Sequence, residues 1–266
     1  MSFQLALIRK FIRSTTLLAR SPVAQVLLWS AVATVLLIGA RTAWRLRESV
    51  ALTRLSEALQ SLPDRHCMRL LIVGDSTAVG TGASASDASV AGLLAREFPR
   101  LLIDNRARDG AKFGEVLAQL AGNERFDMVL IQAGGNDVIR LRDLAGLRSD
   151  VDRVTHRARQ RAALVVLMPA GNVGNAPFFF APLSWLMTWR SRRLHAFVRE
   201  AAFNHAALYV NLFHERDEDP FVQRPELNAD DGLHPSDAGY RLWFGELLAQ
   251  AALPRLLCAS PTTSTD

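Results

Sequence analysis

Five short apolar runs separated by helical stretches constrain this chain more than any other feature. The runs are Met68–Val73, Leu101–Ile103, Met128–Gln132, Ala163–Leu167 and Leu208–Asn211. Each has the length of a strand and reads as nearly continuous apolar sequence, the pattern of a strand covered on both faces. Helical stretches near Ala88–Glu97, Phe113–Leu120, Leu141–Arg159, Trp185–Phe203 and Ser236–Ala252 separate and follow them. Such alternation predicts a parallel five-stranded sheet with helices on both faces. In an open sheet of this kind, catalytic groups collect on loops leaving the C-terminal strand ends. With 49% hydrophobic residues the chain can bury a sizeable core.

The first 66 residues are different. They carry nine basic residues against three acidic ones, whereas the remaining 200 carry 22 against 23. The basic excess behind a pI near 10 therefore belongs to the N-terminal extension, where it suits anionic lipid headgroups. The body has no electrostatic footprint of a nucleic-acid partner. Within the extension, Ser21–Ala40 holds no charge and is flanked by Arg20 and Arg41. A helix of that length spans about 30 Å, the thickness of a bilayer core. A buried soluble helix and a cleaved signal peptide are the alternatives, but Ile38-Gly39-Ala40 makes a poor cleavage site. The expected arrangement is an anchor and linker helix over residues 1–66, with Ala43–Leu62 amphipathic and ended by Pro63-Asp64. A catalytic domain over 67–256 and a disordered tail over 257–266 follow.

Three segments fall where the fold would place an active site. Gly74-Asp75-Ser76-Thr77 follows the first strand, and a serine on a tight turn opening a helix exposes its hydroxyl and a free backbone N–H. As a bare tripeptide it is equally a helix cap. Gly134-Gly135-Asn136-Asp137 ends the central strand, where Asn136 can offer a side-chain N–H₂ to a developing oxyanion. Asp231-Gly232-Leu233-His234 lies just before the last helix. Histidine titrates in the range needed to activate a serine, and a carboxylate on its far nitrogen fixes the tautomer. Asp230 competes with Asp231 for that part.

In this order and spacing, the three segments resemble the GDSL/SGNH hydrolase family. Asn105-Arg106-Ala107-Arg108-Asp109-Gly110 resembles a fourth block of that family, whose glycine donates a backbone N–H. The resemblance covers residues 67–255. It implies a flavodoxin-like three-layer α/β/α sandwich, preceded here by the N-terminal transmembrane helix. It also implies a serine esterase or lipase in which Ser76 is the nucleophile and Asp231 and His234 complete the triad. The oxyanion hole would be the N–H groups of Ser76 and Gly110 and the Asn136 side chain. Two departures stand out: Thr77 replaces the family's name-giving leucine, and the block around Arg106 and Arg108 is unusually charged. The same residues could instead pass an acyl group to a glycan or lipid hydroxyl, and a non-catalytic anchored module is a third reading.

Weaker signals complete the picture. Phe178, Phe179 and Phe180, with Trp185, could form an apolar lip for an acyl chain or could pack as a long connection at the sheet edge. Arg190, Arg192 and Arg193 read as a solvated helix face, and His66, His156, His195, His205 and His214 as structural. Neither a metal-ligand spacing nor a phosphate loop is apparent, so no metal or cofactor is expected. Cys67 and Cys258 flank the domain. The first strand should begin, and the last helix end, on the face opposite the active site. The two thiols could then approach and form a disulfide, which persists only in an oxidising compartment. That favours a single-pass membrane protein with its N-terminus in the cytoplasm and its hydrolase domain outside. In a bacterium this means an inner-membrane protein facing the periplasm, although two inert thiols would remove the argument.

Overall fold

A computed structural model of the chain describes residues 22–253. Cys258, residues 1–21 and the tail expected at 257–266 lie outside the described residues. In chain order the elements are α1 (Pro22–Leu55), β1 (Met68–Gly74), α2 (Ser76–Val79), α3 (Val90–Glu97), β2 (Leu101–Asn105), α4 (Phe113–Gln119) and β3 (Phe126–Gln132). These are followed by α5 (Gly135–Ile139), α6 (Leu144–Arg161), β4 (Ala162–Leu167), α7 (Leu183–Asn204), β5 (Leu208–Tyr209), α8 (Pro220–Gln223) and α9 (Asp237–Gln250).

The chain divides into two units between Arg47 and Glu48. In the first, Val26, Leu27, Leu28, Trp29, Leu36 and Leu37 are all exposed. Within the helix from Gln25 to Leu55, the apolar 18-residue stretch has a mean hydropathy of 1.8. By length and composition it is a candidate membrane span, a description a signal sequence near an N-terminus also meets. The uncharged run and the start of the expected linker helix form one continuous helix, because the sequence onward to Leu55 contains only residues that tolerate a helix. The helix also stops earlier than Pro63. Ser61 exchanges backbone hydrogen bonds with Ile103 at 3.1 and 2.8 Å. The Gln60 amide donates to Asn105 O and accepts from Asn105 N. Covering the free edge of β2 outweighs another helical turn.

In the second unit all five strands are parallel, in the order β2-β1-β3-β4-β5. Successive strand residues point to opposite faces, and here both faces are core. Leu70, Ile72, Met128 and Leu130 pack with α3 and α9 on one side. Leu71, Val73, Val129 and Ile131 pack with α4, α6 and α7 on the other. This is the expected three-layer sandwich. β5 is shorter than expected, since the Gln250 side chain from α9 takes both backbone groups of Asn211. α6 starts late because Asp143 caps it through Gly146 N–H at 2.7 Å. Among the described residues no cysteine is free, and Cys67 is disulfide-bonded.

The order of strand addition reverses between the parallel strands β1 and β3, which opens a crevice at their C-terminal ends. The crevice depends on Gly74. At φ +150° a side chain there would put its Cβ 1.8 Å from the Gln132 carbonyl oxygen. Gln119 holds the glycine, accepting from its N–H at 2.7 Å and donating to its C=O at 2.9 Å. Replacing Gly74 with alanine combines overpacking with backbone strain, so it should cost about 3–5 kcal/mol, visible as a large drop in the denaturation midpoint. An unchanged midpoint would contradict this account of the β1–β3 contact.

Candidate active site

Ser76, the first residue of α2, is held by the residue before it. The Asp75 carboxylate accepts from Thr77 N–H at 2.9 Å and from the Thr77 hydroxyl at 2.7 Å. Asp75 N–H itself donates to Gln132 O at 2.9 Å. Gly80, at φ +100°, ends the turn. Asn105 donates to Ala78 O at 2.9 Å and accepts from Ala107 N–H, which ties the loop carrying Gly110 to the serine helix.

His234 arrives from the other end of the chain. One Asp231 oxygen accepts from the N–H groups of Leu233 and His234 at 2.9 and 3.0 Å, and the other lies 2.6 Å from His234 Nδ1. His234 Nε2 then lies 2.9 Å from Ser76 Oγ. Asp231, His234 and Ser76 are all buried, whereas Asp230 is exposed. Burial works to raise the Asp231 carboxyl, but the hydrogen bonds and charge of His234 outweigh it and hold the group below its ordinary range. A carboxylate only accepts, so Nδ1 carries a hydrogen and Nε2 is left to accept from Ser76.

Ser76, Gly110 and Asn136 line one cavity of about 220 Å³ with His234. The backbone N–H groups of Ser76 and Gly110 and the side-chain amide of Asn136 have no acceptor among the described residues. The structure thus brings together every catalytic and oxyanion residue singled out in the sequence. The aromatic residues fall elsewhere: Phe179, Phe180 and Trp185 line a second cavity with Arg192 and Glu215, and Phe178 lines neither. Instead the cavity of Ser76 is walled by Ser49 and Thr53, one turn apart near the end of α1, and by Arg140, Asn172, Phe221 and Trp243. No motif marks these residues. Only the fold gathers them.

One expectation needs correction. Arg190 is buried, not solvated. Its guanidinium donates to the carbonyls of Asp137, Val138 and Arg142, holding the C-terminal end of the helix that presents Asn136. A helix end leaves carbonyls unpaired, and their demand for donors drew this arginine inward. Arg192 does stay outside, paired with Glu215. His195 is buried between Ala170 O and the Tyr209 hydroxyl, and burial pushes it down to about 4.

Beneath Asn136, Asp137 is fully buried and accepts from Phe113 N–H at 2.9 Å, while its Oδ1 has no donor among the described residues. Burial pushes its pKa up to about 6, against the Phe113 bond, and the Asp75 charge adds to the rise. A carboxyl raised from its ordinary 3.8 binds a proton more tightly when folded. Its stabilisation is complete below pH 4 and is lost as pH rises through 6. The loss should approach about 3 kcal/mol. Asp75, raised chiefly by burial, acts in the same sense, and Asp231 in the opposite one. Denaturant unfolding at pH 4.5 and 7 should therefore show a steeper decline for wild type than for Asp137→Asn. Parallel profiles would count against the assignment.

A comparison with the curated proteins finds no match. Among solved structures the chain is similar to a member of the lipolytic protein G-D-S-L family from Veillonella parvula DSM 2008. That match has TM-score 0.57 and 15% identity, covering 69% of this chain and 97% of that one. It is also similar to an extracellular lipase from Streptomyces rimosus, with TM-score 0.55 and 19% identity over 69% and 100% of the two chains. An acetyl xylan esterase from Geobacillus stearothermophilus matches with TM-score 0.52 and 22% identity over 70% and 95%. At such identities these likenesses establish the fold. Residues 72–242 match the model of the GDSL-like lipase/acylhydrolase family, so the chain belongs to that family and is a hydrolase of ester bonds.

Proposed function

We propose that this hydrolase works through an acyl-enzyme on Ser76, with His234 as general base and Asp231 as the group orienting it. The observation that carries the reading is the continuous chain Ser76 Oγ–His234–Asp231 at 2.9 and 2.6 Å. It opens into a cavity with three unpaired N–H donors. As Ser76 Oγ attacks the ester carbonyl, its proton passes to His234 Nε2. The carbonyl oxygen becomes an oxyanion facing Ser76 N–H, Gly110 N–H and the Asn136 amide. Collapse breaks the bond to the alcohol, which leaves with the proton from Nε2. Water, activated by the same histidine, then releases the acid and regenerates the serine. The lipase and the acetyl esterase among the structural neighbours support carboxylic esters as the substrate class.

Replacing Ser76 with alanine should abolish labelling by a fluorophosphonate and lower turnover by several orders of magnitude. Asn136→Ala should keep the label and lose roughly 10²–10³ in rate. Full activity in that variant would remove Asn136 from the oxyanion site. Adding an alcohol and measuring acyl transfer against hydrolysis tests the transferase reading.

We further propose that residues 1–66 anchor a hydrolase domain of residues 67–256, with residues 21–40 crossing the membrane and the domain on the oxidising side. The uncharged run, the basic excess around it and the bonded state of Cys67 support this. Deleting residues 1–40 should release the protein from membranes with activity on a soluble ester retained. A full-length protein found in the soluble fraction would refute the anchor.

A further inference from the structure

Between β3 and β4 the chain carries seven arginines. Six hold a carboxylate or a backbone carbonyl; Arg142, for example, pairs with Asp143 and Asp150, and Arg148 with Glu200. Arg140 is exposed and lines the cavity of Ser76, and its guanidinium has no hydrogen bond or ion pair among the described residues. Its position is not incidental. It ends α5, donating its N–H to Asn136 O at 2.9 Å, so the two residues stand one turn apart on the same side of the helix. Its Nη2 lies 3.1 Å from the point a Cβ would occupy on Gly110. The guanidinium therefore borders two of the three oxyanion donors.

The carboxylates that share the cavity do not neutralise it. Asp219 accepts from the Asn175 amide at 2.7 Å and from Phe221 N–H at 2.9 Å. Asp75 is occupied by Thr77. Asp231, outside the cavity lining, is held by His234. A cation with five donors and no internal partner, at the rim of a cavity only about 220 Å³ in size, is placed to meet charge on the substrate. We propose that Arg140 is an anion subsite, and that the substrates are esters carrying a carboxylate or phosphate group beside the reacting carbonyl. The planar guanidinium fork suits either group by paired hydrogen bonds. This rests on the Ser76 hydrolase reading and deepens it by naming a substrate class.

The test uses full-length enzyme and two pairs of soluble esters. One pair is p-nitrophenyl hemisuccinate against p-nitrophenyl butanoate; the other is a short-chain acyl ester of glycerol phosphate against the same ester of glycerol. Wild type should favour the anionic member of at least one pair by about 10–100-fold in kcat/KM. A preference confined to one pair identifies carboxylate or phosphate as the group recognised. In Arg140→Gln the preference should collapse towards parity, chiefly through KM, and Arg140→Lys should keep part of it. Calorimetry of succinate and inorganic phosphate on Ser76→Ala, with and without Arg140→Gln, gives a readout independent of turnover. Here the arginine should tighten binding of at least one anion. A wild-type enzyme without anionic preference, or one whose preference survives Arg140→Gln, overturns the proposal. Failure of Ser76 to take a fluorophosphonate would overturn the hydrolase mechanism instead, so the two failures are distinguishable.

Discussion

Asp75 donates its backbone N–H to the carbonyl of Gln132, and at that point the two central strands leave their ladder and part. The candidate catalytic groups are arranged around this separation. It requires a residue without a side chain at Gly74, where a Cβ would collide with the same carbonyl. It places Ser76 two residues past one strand end and Asn136 four residues past the other. Both come from central strands buried between two helical layers, so neither can drift without disturbing the core. The histidine loop needs separate support. That comes from Ala229 N–H donating to His234 O at 2.8 Å and from Ser84, which binds Asp237 through both its N–H and its hydroxyl at 2.7 Å.

Long polar side chains outside the site, of which Gln119, Arg161 and Arg190 are buried, do much of the holding. Gln119 replaces a missing strand partner for Gly74, Gln60 brackets the edge of β2, and Arg190 gathers the carbonyls at the end of α5. Arg161 does the same for the carbonyls of Leu120, Ala121 and Glu124. In each case a loop or helix end leaves backbone groups that must find partners once buried. A long side chain supplies the donors or acceptors at less cost than a further stretch of backbone. Truncating such a residue exposes the demand again, so these positions should be as sensitive as apolar core.

This is also where the sequence is least legible. Strands, layers and the candidate catalytic residues could be read because each has a local signature: an apolar run, a Gly-permitted turn, or an Asp and His three residues apart. Arg190 has none. Among three neighbouring arginines it looks like the other two, and only the carbonyls that α5 presents distinguish it. Ser49 and Thr53 were equally invisible, since their place on the cavity wall depends on where α1 ends. The Phe178–Phe180 run was ambiguous in another sense. Three aromatic residues in a row invite either a binding or a packing role, and the structure sets Phe179 and Phe180 on a second cavity that shares Asn175 with the first. Composition alone cannot say which surface a loop faces.

The fold accounts for the chemistry more fully than for its specificity. A doubly wound sheet sends each central strand into a helix, and the first N–H groups of any helix lack a partner within it. Ser76 and Asn136 occupy two such starts, while Gly110, at φ +75°, turns a third N–H free from the neighbouring loop. An anion-stabilising corner is thus close to a consequence of the topology once serine and asparagine stand at those positions. The walls are under no such constraint. Ser49, Thr53 and Arg140 could each be exchanged without breaking a strand, a cap or the Ser76–His234–Asp231 chain. Selection on substrate can therefore act on them with little cost to the fold. It follows that relatives sharing the reaction need not share these residues, and that preferences among esters should be sought in the walls rather than in the motifs.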